Sequence, residues 1–395
     1  MAVNQLDTAA GRAREATRLI VLLGLVSLFA DVTYEAARSV NGPYLALLGA
    51  SGAVVGFTAG LGELFGYGLR IISGIVSDKT RRYWAITIAG YTVNLLAVPL
   101  LALAGSWELA AALMVTERIG KAIRTPARDV MLSHATSAVG RGWGFALHEA
   151  MDQIGGMTGP VIVMLVLAYK GSYTYAYAVL VIPAILAIIT LMAARAAYPH
   201  PGKLENARPH DANHAPPVFW LYLAAVGLIA AGFADYPLMA YHIKTHGVFE
   251  DKWIPLLYAF AMGVDGVAAL YFGKWYDRKG MASLMGAIII SSPFALFAFS
   301  TDAVMVIAGA ALWGVGLGAQ ESIIRAVVAD IIHPARRGSG FGYFNAGYGF
   351  AWFLGSAVMG LLYDVSIPAL VMFSVAMQLA SLPLLARVRR RMAAA

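Results

Sequence analysis

Long apolar segments alternate with short polar ones along almost the whole chain. A helix that crosses a bilayer needs about 20 consecutive apolar residues, because lipid offers its backbone no other hydrogen-bond partners. Twelve segments meet this requirement, at residues 18–48, 52–76, 83–104, 107–128, 143–168, 174–197, 217–243, 253–275, 281–300, 303–331, 339–363 and 366–386. The pattern therefore predicts an all-α membrane protein with twelve transmembrane helices.

The composition agrees with a membrane protein and excludes several kinds of site. Of the 395 residues, 59% are hydrophobic and 13% are charged, whereas a soluble domain carries about 25% charged residues. The chain has no cysteine, which excludes disulfides, thiolate metal sites and cysteine nucleophiles. The first apolar segment is too long for a cleavable signal peptide, so we expect it to be retained as helix one.

The basic residues predict the orientation in the membrane. If both termini are cytoplasmic, 20 of the 29 Lys and Arg residues fall on the cytoplasmic side, and only Lys170, Lys244 and Lys252 fall outside. This asymmetry follows the positive-inside rule. We therefore expect a multi-pass protein of the inner (cytoplasmic) membrane with both termini in the cytoplasm. The net charge of +7 is then a topology signal, and no nucleic-acid partner is expected.

One long polar stretch divides the chain into two parts of similar length. Residues 199–216 are rich in Pro, His, Asn and Asp and are expected to form a cytoplasmic linker. Its histidines, His200, His210 and His214, are interpreted as solvated rather than as metal ligands. The predicted organisation is an N-terminal bundle of six helices at 1–198, the linker, and a C-terminal bundle of six helices at 217–395.

Three short motifs occur once in each half, in the same order and at nearly the same offset. They are Phe29-Ala30-Asp31 and Phe233-Ala234-Asp235, Gly74-x-x-x-Asp78 and Gly273-x-x-x-Asp277, and Arg141-Gly142-x-Gly144-Phe145 and Arg337-Gly338-x-Gly340-Phe341. A repeat of six helices gives both halves the same orientation in the membrane. We expect the two halves to enclose one central cavity.

The loop after helix two resembles the signature of the major facilitator superfamily. It stands here as Gly-Ile-Val-Ser-Asp-Lys-Thr-Arg-Arg at 74–82, without the usual glycine before the basic pair, whereas the second copy at 273–280 keeps that glycine. The resemblance implies two pseudo-symmetric six-helix bundles around a central cavity. It also implies a cytoplasmic gate that contains Gly74, Asp78, Arg81, Arg82, Gly273, Asp277 and Arg278.

Ionisable residues lie inside the predicted helices, where each costs about 2.5–3.5 kcal/mol to insert and is a functional candidate for that reason. The acids are Asp31, Glu35, Glu63, Glu117, Glu149, Asp152, Asp235, Asp265 and Glu321, and the bases are Arg38, Arg70, Arg118, Lys121, Arg124 and Arg325. The surplus of acids leaves carboxylates that can take up protons. A static structural network is the alternative interpretation.

Helix one carries the densest set of these residues. Asp31, Glu35 and Arg38 are spaced to share one helix face, which we expect to line the cavity. Glu35 and Arg38 are expected to pair, so that Asp31 is the freer group. The chemistry of coupling is expected mainly in helices one to five.

Helices four and five carry further candidates. Arg118-Ile119-Gly120 resembles the helix-four motif of the superfamily, in which a buried arginine is tied to proton movement. His148, Glu149 and Asp152 favour a hydrogen-bond network over a metal site. The run Gly155-Gly156-Met157-Thr158-Gly159-Pro160 resembles the antiporter signature of drug exporters. Gly155, Gly159 and Pro160 are equally compatible with simple close packing of helix five.

These features predict a secondary active transporter that works by alternating access. The leading hypothesis is proton-coupled efflux, by antiport, of a small organic molecule. Export of a divalent metal cation through the helix-one acids is an alternative, limited to oxygen ligands because cysteine is absent. An alternative of another class is a non-transporting membrane sensor or scaffold on the same fold.

The expected partners are a small-molecule or ion substrate, protons and the lipid bilayer. No nucleophile–base pair with catalytic spacing occurs, so we expect no enzyme. We also expect no cofactor, no bound metal and a monomer.

Overall fold

The computed structural model describes residues 2–136, 141–199, 217–332 and 337–393, and every element within these ranges is helical. The helices are α1 (Ala2–Leu47), α2 (Gly52–Thr80), α3 (Tyr83–Leu100), α4 (Trp107–Thr136), α5 (Arg141–Lys170), α6 (Tyr173–Val179), α7 (Val181–Ala197), α8 (Pro217–Gly232), α9 (Tyr236–Thr245), α10 (Trp253–Lys279), α11 (Met281–Ser291), α12 (Phe294–Ala298), α13 (Ala303–Ile331), α14 (Arg337–Val365) and α15 (Ile367–Ala393). The linker histidines lie outside the described residues.

These helices form twelve membrane spans, close to the predicted ones. Three spans are each made of two helices in sequence, α6 with α7, α8 with α9, and α11 with α12. Eleven spans in the described part of the chain are long and apolar enough to cross a membrane. The remaining span, α4, is 30 residues long. No stretch of α4 is apolar enough by the same standard, because the charged residues predicted for helix four lie along α4.

Local sequence explains where several helices begin and end. The side chain of Ser51 accepts a hydrogen bond from the N–H of Val54 at the start of α2. Gly280 ends α10 with a positive φ of 56°. Arg81 ends α2 with a φ of 52°, which glycine adopts far more readily. The first copy of the loop motif therefore places an arginine with a positive φ where the second copy has a glycine.

Close helix contacts join the first half (α1–α7) to the second half (α8–α15). The main pairs are α1 with α9, α2 with α14, and α5 with α10. A Cβ on Gly42 would lie 1.8 Å from the carbonyl oxygen of Pro237, and a Cβ on Gly56 would lie 2.4 Å from that of Ser356. Glycine is therefore required where the backbones of the two halves meet.

The two ends of the molecule are named here by residues found at them. The Gly49 end carries the connections at 48–51, 104–106, 171–172, 246–252 and 299–302, and the Asp78 end carries those at 81–82 and 280. The glycine contacts of Gly42 and Gly56 lie in the part nearer the Gly49 end. The two halves are thus packed together at that end.

Candidate functional site

Two arginines share one carboxylate oxygen at the centre of the first half. Arg38 Nη2 of α1 lies 3.2 Å and Arg118 Nη2 of α4 lies 3.1 Å from Oε1 of Glu63 on α2. Arg118 Nε also lies 3.4 Å from Oε2 of Glu117, and Asn94 donates a hydrogen bond of 2.6 Å to Oε1 of Glu117. The predicted candidates Arg38, Glu63 and Arg118 are therefore parts of one buried network.

Glu35 and Arg38, which were expected to pair, attract each other electrostatically but form no ion pair. Arg38 is directed to Glu63 and, at 3.9 Å, to Asp235 of the second half. Glu35 instead accepts a hydrogen bond of 2.5 Å from the hydroxyl of Tyr258 on α10. The i,i+3 spacing places Glu35 and Arg38 on one helix face, but partners from other helices offer each side chain shorter contacts.

Asp235 lies at the break between α8 and α9, where the chain is extended just before α9. Its carboxylate accepts hydrogen bonds from Trp352 Nε1 at 3.0 Å and from Ser356 Oγ at 2.5 Å, both on α14. With Arg38 at 3.9 Å, Asp235 connects the second half to the charged network of the first. The counterpart in the repeat is Asp31.

Asp31 was expected to be the freer group of helix one, but it accepts a hydrogen bond. The hydroxyl of Tyr34, one turn along α1, donates a hydrogen bond to its carboxylate. Lys121 Nζ lies 3.9 Å from the centre of the Tyr34 ring and 4.0 Å from Oε1 of Glu35. These contacts bring the helix-one acids and Lys121 of α4 into one group.

Asp265 is the most deeply buried of the candidates that lack a hydrogen bond of normal geometry. It is fully buried on α10, and neither carboxylate oxygen accepts a hydrogen bond of normal geometry within the described structure. Its surroundings contain the amide of Gln153 on α5 and the carboxylates of Glu149 and Glu321. A Cβ on Gly318 would lie 3.0 Å from Oδ1 of Asp265, so α13 packs directly against this carboxyl group.

The other predicted residues of α5 lie along one helix that packs against α1. Nδ1 of His148 lies 3.3 Å from Oδ2 of Asp152, whereas Glu149 is exposed. A Cβ on Gly155 or Gly159 would lie 2.4 Å from a backbone oxygen of α1. Among the described residues, no three His, Asp or Glu side chains are grouped closely enough to hold a metal ion.

The predicted gate residues lie at the Asp78 end of the molecule. Asp78, Arg81, Arg82, Asp277 and Arg278 are all exposed. None of them takes part in an ion pair with another described side chain. Gly74 and Gly273 are partly buried, near Pro126 and Ser322 respectively. The latch predicted for this end is therefore not formed by the described residues in this conformation.

A different set of contacts closes the Gly49 end. Asp364 of α14 accepts hydrogen bonds of 2.8 Å from the backbone N–H groups of Gly52 and Ala53 on α2. The hydroxyl of Tyr241 on α9 donates to the carbonyl oxygen of Ala50 at 2.9 Å. Sequence reasoning missed both contacts because neither Asp364 nor Tyr241 belongs to a repeated motif, and helix spacing does not reveal contacts between the two halves.

Sequence comparison identifies the family of this chain. The sequence model of the Major Facilitator Superfamily matches residues 23–356 and, in a second match, 237–394. The chain is 43% identical to the uncharacterised protein Rv2265 of Mycobacterium tuberculosis over 385 residues, which are 95% of this chain and 94% of that protein. It is 23% identical to the uncharacterised MFS-type transporter MJ1317 of Methanocaldococcus jannaschii, over 89% of this chain and 90% of that protein.

Solved structures resemble the fold at low sequence identity. The nucleoside transporter NupG superposes with a TM-score of 0.73 at 13% identity, covering 93% of this chain and 98% of NupG. An inward-facing, unoccupied structure of a bacterial homologue of the human lysosomal transporter Spinster superposes with a TM-score of 0.67 at 13% identity, covering 96% of each chain. The chain therefore belongs to the major facilitator superfamily and is a multi-pass membrane transporter rather than an enzyme.

Proposed function

We propose that this transporter exports a small organic molecule in exchange for protons by alternating access. The observation that carries the proposal is Asp265, a fully buried carboxyl group that lacks a cation and a hydrogen-bond donor of normal geometry among its described neighbours. Ionisable groups at membrane depth are costly to keep, and acids in this position are typical of proton relays. Asp265 can exchange a proton with water whenever the cavity reaches it.

The charged network offers a physical route from proton binding to movement. Asp265 is on α10, which also supplies Tyr258, the donor to Glu35. Arg38, one turn from Glu35 on α1, lies between Glu63 of its own half and Asp235 of the other. Because these contacts cross between the halves, a change of charge on one acid alters the free energy of holding the halves together.

The closed Gly49 end and the exposed charges toward the Asp78 end favour a cavity that opens at the Asp78 end. Glu149, Glu321 and Arg325 are exposed although they belong to helices that span the membrane. Charged side chains at that depth require water rather than lipid around them. The positive-inside rule supports a cytoplasmic Asp78 end, and the proposed state is therefore an inward-facing one in the inner membrane with both termini in the cytoplasm.

Two bundles, residues 1–198 and 217–395 joined by the linker at 199–216, would rock against each other as a monomer. Glycine contacts such as Gly42 with Pro237 support this arrangement, because they let the halves pack closely without interlocking side chains. In that cycle the exposed gate residues Asp78 and Asp277 would find partners when the Asp78 end closes.

The organic substrate is favoured over a divalent metal by the geometry of the acids. The helix-one acids are each held by a tyrosine hydroxyl, Asp31 by Tyr34 and Glu35 by Tyr258. No three His, Asp or Glu side chains within the described ranges converge on a common point. A metal exporter would need several oxygen ligands around one ion.

Proteoliposomes with an imposed pH gradient test the proposal. The purified chain should move at least one member of a panel of labelled organic compounds in the direction opposite to the proton gradient, and a protonophore should abolish that movement. Divalent metals in the same panel test the alternative substrate. If no compound moves and the gradient decays no faster than in empty liposomes, the sensor or scaffold hypothesis replaces this one.

A further inference from the structure

Charged and aromatic side chains from four helices lie near one another toward the Asp78 end, and we call them the vestibule: Tyr67, Arg70, Glu149, Glu321, Arg325 and Tyr348. Helices α2, α5, α13 and α14 supply them, so both halves contribute. Since an α-helix rises about 1.5 Å per residue, Arg70 and Glu321, each ten residues before the end of its helix, lie roughly 15 Å below the Asp78 end. The vestibule therefore lies in the part of the molecule nearer the Asp78 end.

Two guanidinium groups of the vestibule have acids nearby but form no ion pair with a described side chain. Arg70 and Arg325 form no ion pair within the described structure, and Nε of Arg70 is buried without a hydrogen-bond acceptor. The two side chains are near enough to repel each other electrostatically. The neighbouring Asp129 is already held by Arg128, at 2.8 Å. Two unpaired arginines from opposite halves form a site for an anionic group.

Two carboxylates of the vestibule are also unpaired. Glu149 and Glu321 are exposed, come from opposite halves, and interact with each other electrostatically without an ion pair to any described side chain. Glu321 and Arg325 are four residues apart on α13 and attract each other electrostatically, but they form no ion pair in the described structure. Behind Glu321 lies the buried Asp265. These acids form a site for a cationic group beside the anion site.

An aromatic wall lies beside the two charged sites. The rings of Tyr67 and Tyr348 are in edge-to-face contact across the halves, with centroids 5.3 Å apart. The ring of Tyr348 stacks on Phe344 at 5.5 Å, and Arg70 lies 4.8 Å from the centre of the Tyr67 ring. Such a wall suits the flat apolar body of a small molecule.

We propose that the vestibule recognises a zwitterionic organic molecule, whose anionic group lies between Arg70 and Arg325 and whose basic amine lies at Glu149 and Glu321. A planar apolar body joins the two charged groups along Tyr67 and Tyr348. This inference rests on the proposed transport function and names its substrate class. A zwitterion satisfies both sets of unpaired charges at once, whereas a simple cation or anion leaves one set without a partner.

Calorimetric titration of the full chain in detergent micelles tests this with three matched probes. They are para-aminomethylbenzoic acid, its methyl ester and its N-acetyl derivative, which are respectively a zwitterion, a cation and an anion on one ring. Because a charge-assisted hydrogen bond contributes about 1.5–3 kcal/mol, the zwitterion should bind at least about tenfold more tightly than either derivative. Equal affinities for the three probes, or no binding of the zwitterion, overturn the proposal.

Charge-neutral variants separate recognition from a structural role. Arg325→Gln and Arg70→Gln should weaken binding of the zwitterion and the anion by about tenfold and leave the cation unaffected. Glu321→Gln and Glu149→Gln should weaken binding of the zwitterion and the cation and leave binding of the anion unaffected. The control is Arg195→Gln, at an exposed position of α7 outside the vestibule, and it should leave the affinity for all three probes unchanged. An equal loss for all three probes in the vestibule variants contradicts the proposal.

Binding in micelles needs no proton gradient. The proposed recognition site and the proposed proton coupling can therefore be tested independently. Selective binding of the zwitterion without proton-driven transport contradicts the proposed coupling alone. Proton-driven transport of a compound whose binding ignores all four charged residues contradicts the recognition site alone.

Discussion

Asp364 accepts a hydrogen bond of 2.8 Å from the backbone N–H of Gly52, although the two residues are 312 positions apart and belong to different halves. Its second oxygen accepts the N–H of Ala53 at the same distance. The first N–H groups of a helix have no partner within that helix, and the helix dipole favours an anion there. The end of α14 therefore caps the start of α2, and this cap must break whenever the Gly49 end opens.

Replacing Asp364 by alanine should shift the transporter toward opening at the Gly49 end. Loss of an N-terminal cap costs about 1 kcal/mol, which corresponds to a population change of about fivefold. The chain has no cysteine, so a single cysteine at Ala59, which lines a small internal cavity near Glu63, can report the change. It should react faster with a membrane-impermeant maleimide added at the Gly49 side of sealed vesicles.

The control for this measurement is Glu250→Ala, which removes an exposed acid from the same end of the molecule. It should leave the labelling rate of the reporter cysteine unchanged. If Asp364→Ala labels no faster than this control, the cap does not hold the Gly49 end closed.

Gly56→Ala should prevent closure at the same end by a steric route. The added Cβ would lie 2.4 Å from the carbonyl oxygen of Ser356 and 2.7 Å from Cα of Gly360, and backbone atoms cannot move aside cheaply. Because these contacts join the two halves, each half should still fold. We expect rapid labelling of the Ala59 cysteine and loss of transport, since the cycle cannot return to the closed state.

Gly68→Ala on the same helix is the matched control, because a Cβ there meets no atom within 4 Å. It should transport normally, with helix propensity improved by about 1 kcal/mol. Elution of both variants as monodisperse protein separates a blocked cycle from misfolding. Normal transport by Gly56→Ala would show that the two backbones need not approach this closely.

The apolar pattern predicted the helices well because the bilayer dictates it. The tenth predicted segment, 303–331, coincides with α13, and the eighth, 253–275, begins with α10 and ends four residues early. The breaks inside three spans were not predicted. Proline marks two of them, at Pro237 and Pro293, but proline also occurs inside unbroken helices such as α4, so it is an ambiguous signal.

The sequence located the ionisable residues within the helices better than it predicted their partners. Helix spacing reveals neighbours on one face, which is why Glu35 and Arg38 were expected to pair. The actual partner of Arg38, Glu63, comes from another helix, and no periodicity encodes that choice. Asp265 was a candidate from the sequence, but its lack of hydrogen-bond partners depends on how α13 packs against α10 and could not be predicted.

Glu63→Gln should destabilise the protein strongly. Removing the shared carboxylate leaves Arg38 and Arg118 close together without an acid between them. Removing one partner of a buried ion pair costs about 3–5 kcal/mol. We expect a clearly lower midpoint of thermal unfolding in detergent. Glu108→Gln, at an exposed acid near the start of α4, should change stability by about 0.5 kcal/mol or less. Similar midpoints for the two variants would mean that the arginines do not depend on Glu63.

Asp265→Asn should uncouple transport from protons while leaving exchange of substrate intact. The amide has the shape of the carboxylic acid but cannot release a proton, so the variant is fixed in a state that resembles the protonated one. In proteoliposomes, accumulation driven by a pH gradient should vanish, whereas exchange of labelled for unlabelled substrate at equal pH should persist. Asp31→Asn, which replaces the carboxylate that accepts the Tyr34 hydroxyl, is predicted to abolish coupling in the same assay. Glu108→Gln is the control for both variants and should accumulate substrate like the wild type. Gradient-driven accumulation at the wild-type rate in Asp265→Asn would exclude Asp265 as the proton carrier, and the same result in Asp31→Asn would exclude Asp31.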